Sequence, residues 1–386
     1  MKKGILISII LLFFLILSGC TQKKEVEDLM ITTAIALDLT EEGSLELSVQ
    51  LLNSNSAGNR PQDVTPIVVV SETGRTIQEA LRKVNTIITK KLFFSHFVIL
   101  VIGEELARKG ILPFVAFFAI NQETLHRFDI LIARGCKGKD VLKIVSVAAN
   151  IPAMAVEGKL VATTKLYGIS KIYTNDEVMS DLRSEGISLT LGSIEIIGDL
   201  EEGSDLDNRK TIDVRAYTKV STLGVFKQDR IIAWLDEEES LGFTYLMGKI
   251  KNSYIIVTKG DGTFVSVQLK TCKVKTKLET EGEKIKVKVS INFRGEVVED
   301  LSGETSYDVV YVEDIRQRTE YEIKRLCEKV FSKAQELKAD IFGYGRMIYR
   351  HKFKLWEEIK DRYEDEIFPE IEAEFTIKGN IIRVKP

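Results

Sequence analysis

Histidine and cysteine are scarce in this chain, and histidine is the scarcer of the two. The 386 residues include three histidines, His96, His126 and His351. None lies near a Gly-x-Ser-x-Gly elbow, and the chain has no His-Glu-x-x-His motif. A hydrolase needs a nucleophile beside a base, and a zinc peptidase needs paired histidines. We therefore predict no catalytic residue, no metal site and no cofactor, and we expect the protein not to be an enzyme.

Cysteine is also rare, with four residues in the chain. Cys20 follows an apolar N-terminal run, whereas Cys136, Cys272 and Cys327 are scattered and form no Cys-x-x-Cys pair. Zinc ribbons and disulfide frameworks need paired or regularly spaced cysteines, so neither is expected. We interpret the three later cysteines as small apolar residues, and one disulfide among them stays an open alternative.

Long apolar runs and a strong net charge are absent beyond the first twenty residues. Phe114–Ile120 has seven apolar residues, whereas a membrane-spanning helix needs about 20. We therefore expect that any function requiring a membrane-spanning segment is carried out by a partner protein. The formal charge is −3, and removal of Lys2 and Lys3 with a cleaved leader makes it −5. This mildly acidic balance predicts no nucleic acid partner.

The N-terminal residues have the pattern of a lipoprotein signal peptide. Lys2 and Lys3 precede Ile5–Leu17, which is apolar except for Ser8, and Leu17-Ser18-Gly19-Cys20 resembles a bacterial lipobox. We predict that residues 1–19 are removed and that Cys20 carries diacylglycerol and an acylated N-terminus. Two or more acyl chains give stable membrane anchoring, at about 0.8 kcal/mol for each buried methylene. The alternative is an ordinary cleaved signal peptide that contains a cysteine.

Residues 20–200 are predicted to form an N-terminal α+β domain built on a mixed sheet with helices. Residues 45–51 alternate between apolar and polar side chains, as in a strand with one wet face. A helix follows Thr76, which has capping-box spacing with Glu79. Phe97–Ile102 and Phe128–Ala133 are apolar strands separated by helical segments, which predicts a parallel pair with a right-handed crossover.

The polar residues 201–215 are predicted to be an acidic linker, because Asp, Glu, Gly and Asn are concentrated there. Residues 216–386 are predicted to form a C-terminal α+β region, with a possible split into two domains near residue 250. Its strands alternate and are joined by hairpin turns, which predicts an antiparallel meander. A helix of roughly 25 residues follows and is expected to cover that meander. The predicted fold class is thus multidomain α+β.

Three further features have structural interpretations. Asp236-Glu237-Glu238-Glu239 resembles a carboxylate cluster, but anions at a predicted helix start are stabilised by free N–H groups. The lysines of residues 273–288 are interpreted as a solvated sheet surface, with contact to anionic headgroups as the alternative. Trp234, Phe342 and Trp356 are expected to be structural, and Gly343, after residues 339–342, is expected to have a positive φ at a helix junction.

Several short segments occur in a specific order from Cys20 to the end of the chain. They are Glu25-Val26-Glu27-Asp28-Leu29, Gly74-Arg75-Thr76-Ile77, Lys90-Lys91-Leu92-Phe93-Phe94-Ser95-His96, Val101-Ile102-Gly103-Glu104-Glu105-Leu106-Ala107, Gly224-Val225-Phe226, Ala233-Trp234-Leu235-Asp236-Glu237-Glu238, Lys338-Ala339-Asp340-Ile341-Phe342-Gly343, Trp356 and Ile367-Phe368-Pro369-Glu370. In this order they resemble the Ger(x)C-type lipoprotein family, the C subunit of bacterial spore nutrient-germinant receptors. Thr21-Gln22-Lys23-Lys24 departs from the family, which often has a Trp-Asp-Arg type of sequence there.

The resemblance implies a lipoprotein on the outer face of the inner spore membrane. It would work beside a polytopic A subunit and a transporter-like B subunit, in a complex that nutrients such as amino acids or sugars trigger. Family members look three-domained and α+β, and small-ligand binding is more readily placed on the B subunit. The resemblance carries over no catalytic residue. The expected role is a non-catalytic scaffold or coupling subunit; the alternatives are a solute-binding lipoprotein that captures the germinant and a spore-envelope hydrolase.

Overall fold

The fold is taken from a computed structural model, which describes residues 29–53, 66–120, 127–147, 149–248, 250, 252–303 and 308–384. The predicted signal peptide, Cys20 and His126 lie outside these residues. Residues 53–63 are rich in Asn, Ser, Gly and Pro, which predicts a loop, and all of them except Asn53 also lie outside the described residues.

The first half of the chain builds a mixed sheet of nine strands, which confirms the predicted N-terminal architecture. The strands are β1 (Leu29–Leu39), β2 (Leu45–Leu52), β3 (Ile67–Gly74), β4 (Lys91–Phe93), β5 (Ile99–Gly103), β6 (Asp129–Ala133), β7 (Thr190–Gly198), β8 (Ala216–Lys227) and β9 (Arg230–Trp234). Their order is β3-β2-β1-β5-β6-β7-β8-β9, and β4 pairs with the start of β1. The central strands β1, β5, β6 and β7 are parallel, and antiparallel hairpins flank them.

Helices cover both faces of this sheet. They are α1 (Ile77–Ile87), α2 (Glu104–Lys109), α3 (Leu112–Ile120), α4 (Gly138–Val141), α5 (Pro152–Ala162), α6 (Asn175–Arg183) and α7 (Leu200–Ser204). One core contains Ile35 and Leu37 of β1 with residues of α1, α2, α3 and α6, and the other contains Ala34 and Ala36 with residues of α4 and α5. Because β1 is covered on both sides, its central residues are apolar without alternation.

The second sheet has four strands, in the order β10 (Ser253–Thr258), β11 (Phe264–Glu281), β12 (Lys284–Asp300) and β13 (Glu372–Val384). The first three form the predicted antiparallel meander, and β13 adds to β12 in parallel. The 28-residue helix α9 (Val309–Glu336) follows the meander and contributes Ile315, Ile323 and Val330 to its core. A parallel neighbour needs a long crossover, and α9 with the segment after it supplies that connection.

The remaining helices join the two sheets. They are α8 (Glu237–Leu246), α10 (Tyr344–His351) and α11 (Phe353–Ile359). None of the helices among the described residues combines the length and the apolar composition needed to cross a membrane.

The predicted domain boundaries stay predictions, but the sheets divide at a definite place. Strands β8 and β9 belong to the first sheet, so the change of sheet falls between Trp234 and Ser253. Within the predicted acidic linker, Asn208 is 1% exposed and donates hydrogen bonds to the carbonyl groups of Val145 and Ala216 at 3.1 and 2.8 Å. This part of the chain is therefore folded against the first sheet.

Two helical glycines give a matched test of the packing between α8 and α9. A Cβ atom on Gly242 would lie 2.2 Å from the carbonyl oxygen of Leu326, whereas a Cβ on Gly158 in α5 would meet no atom within 4 Å. We expect Gly242→Ala to lower the free energy of unfolding by about 1–3 kcal/mol, because the helices must separate. Gly158→Ala should raise it by up to about 1 kcal/mol, because alanine favours helix. Urea unfolding of both variants checks this, and equal effects would contradict the close packing.

Candidate functional site

The carboxylate of Asp340, in the turn between α9 and α10, accepts four hydrogen bonds in the interior of the protein. Asp340 is 0% exposed. It accepts hydrogen bonds from the backbone N–H groups of Phe342, Gly343 and Gly345, at 3.1, 2.9 and 2.7 Å. The hydroxyl of Tyr363 donates a fourth bond at 2.9 Å. The turn after the long helix is thus organised around one buried acid. We call this turn, together with the segments that contact it, the Asp340 junction.

The charge of Asp340 is stabilised by dipoles rather than by a cation. Burial raises the pKa of Asp340 to about 6, and the bonds from Gly345, Tyr363, Gly343 and Phe342 oppose that rise. Burial also raises the pKa of Tyr363 well above its usual value, as does the neighbouring carboxylate. At neutral pH the carboxylate is therefore mostly ionised and its oxygens accept from four donors. A buried charge satisfied in this way is a structural centre with a fixed geometry.

The Asp340 junction connects the two sheets through direct backbone contacts. The N–H of Ser188, just before β7, donates to the carbonyl oxygen of Asp340 at 2.8 Å. The N–H of Arg346 donates to the carbonyl oxygen of Gly186 at 2.7 Å. A Cβ atom on Gly186 would lie 2.3 Å from the carbonyl carbon of Gly345, so only glycine permits this approach. Gly343 has φ 74°, which confirms the predicted left-handed conformation at the junction.

Side chains reinforce the same contact from both sides. Arg346 forms an ion pair with Asp181 of α6 at 2.7 Å, and the hydroxyl of Tyr173 donates to Asp181 at 3.2 Å. The indole N–H of Trp356 donates to Glu185. Trp356 and Phe342 are buried in the core of the second sheet, as expected for structural residues. The bonds of Arg346 and Trp356 join segments more than 150 residues apart in the chain, so they constrain the tertiary fold.

A shallow groove of about 690 Å³ lies beyond the carboxyl end of β6 and beside β7, β8 and the end of β9. The carboxyl ends of strands are where α/β sheets commonly bind ligands. The guanidinium of Arg134 lies 4.9 Å from the ring centre of Trp234 and donates to Thr222 at 3.2 Å. It also pairs with Glu195 at 3.5 Å, and the indole N–H of Trp234 donates to Glu104 at 3.1 Å. The polar groups named here therefore already bind one another, and Trp234 is half-buried by them.

The carboxylates at 236–239 have the structural role expected of them. Asp236 caps α8 by accepting from the N–H of Glu239, and the carboxylate of Glu239 accepts from the N–H of Asp236. Hydrogen bonds from Arg325 and Lys329 of α9 lower the pKa of Glu238 to about 2. This cluster therefore connects the start of α8 to α9. Across the described ranges, no group of three or more His, Cys, Asp and Glu side chains is placed to hold a metal ion.

The residues considered for catalysis are not brought together. His96 and His351 are both exposed, and they lie before β5 and at the end of α10 respectively. Cys136, Cys272 and Cys327 are free thiols, so the disulfide left open by their spacing does not form in this structure. Burial raises the pKa of Cys272 to about 11 and that of Cys136 to about 12, as expected for unreactive apolar thiols.

The lysine surface of the second sheet is solvated and partly neutralised by neighbouring acids. Lys286 pairs with Glu374 at 3.2 Å, and Lys288 pairs with Glu279 at 2.8 Å. Lys273 and Lys275 are exposed on the neighbouring strand. Cross-strand pairing of this kind is ordinary for the wet face of a sheet.

The fold and the Asp340 junction thus define a two-sheet α+β protein whose conspicuous polar centre is structural. Two family models match the chain: "Spore germination protein N-terminal domain" over residues 22–196, and "Spore germination B3/ GerAC like, C-terminal" over residues 221–385. The chain belongs to this GerAC-type, or Ger(x)C, family of spore germination proteins.

Individual relatives match along nearly the whole chain. The spore germination protein KC of Bacillus subtilis (strain 168) is 29% identical, over 100% of this chain and 98% of its own length. The spore germination protein B3 of the same organism is 24% identical, over 99% of this chain and 98% of its own. The crystal structure of the GerBC protein matches with a TM-score of 0.56 and 20% identity, covering 90% of this chain and 96% of that one. The fold class is therefore confirmed.

Removing the phenolic hydroxyl at the Asp340 junction should produce a pH-dependent loss of stability. At pH 7.5, Tyr363→Phe should lower the free energy of unfolding by about 1.5–3 kcal/mol, because the ionised Asp340 loses a donor. At pH 4.5, below the pKa of about 6, Asp340 is protonated in the folded state, so the loss should be about 1 kcal/mol. Urea unfolding at both pH values measures the difference.

The matched control for that experiment is Tyr321→Phe. Tyr321 is 69% exposed on α9, so its hydroxyl is replaced by water and the variant should stay within about 0.5 kcal/mol at either pH. A cost for Tyr363→Phe that does not change with pH would contradict the assignment of an ionised carboxylate to the junction.

Proposed function

We propose that the protein is a membrane-anchored subunit of a spore nutrient-germinant receptor, where it is a non-catalytic scaffold or coupling component needed for germination. Its partners are the A and B membrane subunits of the receptor. Membership of the GerAC-type family carries this proposal. The absence of a metal-ligand cluster among the described residues agrees with a role in assembly but is not what supports it.

The Asp340 junction supports a coupling role in physical terms. Packed interfaces that depend on close backbone contact are not continuously deformable, so a displacement of one sheet must move the other or break the contact. Gly186 and Gly345 form such a contact, and a buried carboxylate holds one side of it. A partner that displaces the first sheet would therefore also displace the second sheet, because the two are joined by direct contact and not by a flexible linker.

The anchor in this proposal is acylated Cys20 on the outer face of the inner spore membrane. The sequence before it has the charge, apolar run and small residues that lipoprotein processing requires. With about 0.8 kcal/mol for each buried methylene, two or more acyl chains hold a protein of this size stably at a bilayer.

A second candidate function is capture of the germinant itself, in the groove beside Arg134 and Trp234. An arginine on an indole ring with carboxylates nearby has the groups that an amino acid or a sugar needs. The mutual pairing of these groups weighs against the idea, because a ligand would have to displace bonds that already exist. Calorimetry of the chain against a panel of amino acids and sugars distinguishes the two functions, and no heat across the panel rejects capture.

Replacing the lipid-bearing residue tests the main proposal. Cys20→Ala should move the protein from the membrane fraction to the soluble fraction and should abolish the nutrient response of spores. Cys136→Ala is the matched control, since Cys136 is a half-buried free thiol and should leave both properties unchanged. Fractionation with immunodetection and a germination assay measure the two effects. Normal germination of Cys20→Ala spores, or an unmodified sulfur by mass spectrometry, would contradict the proposal.

A further inference from the structure

Six consecutive exposed residues span the end of α10 and the start of α11. They are Tyr349, Arg350, His351, Lys352, Phe353 and Lys354, which we call the basic-aromatic patch. The side chain of Phe353 is 55% exposed and that of Tyr349 is 39% exposed. Their ring centres are 5.7 Å apart in an edge-on arrangement, and Tyr349 lies 6.4 Å from the buried ring of Trp356. Two aromatic rings therefore face solvent from a firmly packed base.

The charges of the basic-aromatic patch are not neutralised by ion pairs within the described structure. Arg350 and Lys354 form no ion pair with any residue in the part of the chain that the structure describes, and Lys352 donates only to the hydroxyl of Thr280, at 2.5 Å. The dipole of α10 favours Arg350 and His351 at its C-terminal end. It does not explain Lys352 and Lys354, which flank the N-terminal end of α11, where cations are disfavoured.

The position of the patch follows from the register of the first sheet. Ala34 of β1 pairs with Ile99 of β5, which pairs with Asp129 of β6, so these parallel strands begin at one edge. β7 is parallel to β6 and begins at the same edge. The segment that leads into β7 contains Gly186, which binds the first turn of α10. The patch is therefore carried by helices docked at the edge from which β1 starts.

The start of β1 is also the part of the fold nearest the proposed anchor. Eight residues lie between Cys20 and Leu29, and the nine steps of a fully extended chain from one to the other reach about 30 Å. The strands that separate β1 from β7 add about 14 Å in the plane of the sheet, at about 4.8 Å for each step. If the protein is held through Cys20, as the proposed function states, the edge that carries the patch lies within reach of the bilayer.

We propose that the basic-aromatic patch binds the anionic headgroups of the membrane to which the protein is anchored. Arg350, Lys352 and Lys354 supply charge complementarity, and Phe353 and Tyr349 enter the interfacial layer, where aromatic rings are favoured. This second contact fixes the orientation of the body on the membrane, which a single lipidated residue leaves free. This inference rests on the proposed function in one respect, namely that the anchor at Cys20 holds this side of the protein near the membrane.

Vesicle binding without the acyl chains tests the patch separately from the anchor. The chain from residue 20 onward with Cys20→Ser contains every described residue and is sedimented with vesicles of phosphatidylcholine, with or without phosphatidylglycerol. We expect binding to the vesicles that contain phosphatidylglycerol and a decrease as salt is raised. Arg350→Gln with Lys354→Gln should weaken that binding about 30-fold, since each charge at an anionic surface contributes about 1 kcal/mol. Phe353→Ser should weaken it separately.

The matched control removes two charges from the lysine surface of the second sheet, as Lys273→Gln with Lys275→Gln. It should leave binding unchanged. A loss equal to that of the patch variant would place the headgroup contact on the sheet and overturn the proposal. Equal binding to pure phosphatidylcholine, or no binding to either vesicle, would also overturn it. None of these results bears on the lipid anchor. The anchor is tested independently by the amount of protein that stays in the membrane fraction of Cys20→Ala spores.

Discussion

A carboxylate that has lost its water must be compensated, and at Asp340 three backbone N–H groups and one phenol do this. The compensation determines the conformation of the turn, because the donors are amides of residues two, three and five positions further on. Once the turn is formed, its backbone lies against Gly186 and its first carbonyl accepts from Ser188. The relative placement of the two sheets therefore depends on this one buried charge.

Other charged pairs, which are partly exposed, also connect separate elements of the fold. Glu238 accepts from Arg325 and Lys329, and Asp181 accepts from Arg346. Each of these pairs joins helices that are distant in sequence. The coupling role that we propose needs connections of this kind, through which a displacement passes between parts of the protein. The basic-aromatic patch differs from these pairs because its charges face outward.

Much of the fold could be predicted from local pattern. The mixed N-terminal sheet, the antiparallel meander, the long covering helix and the left-handed Gly343 all follow from periodicity, turn residues and the chemistry of glycine. The cap at Asp236 was also recognisable, since an acid before a helix binds free N–H groups whatever the tertiary context. Residues 216–234 were predicted to belong to the C-terminal region, whereas their strands β8 and β9 form a hairpin that extends the first sheet. A hairpin does not encode which sheet it extends, because edge pairing uses backbone groups common to every residue.

The sequence by itself determined the secondary structure, the family, and the predicted leader chemistry at Cys20, because each of these depends on residues close together or on their order. Only the tertiary structure decided that Asp340 is buried, that Gly186 meets Gly345, and that β13 lies parallel to β12. These contacts join residues far apart in the chain. Their free energy comes from desolvation and close packing, which no local pattern contains.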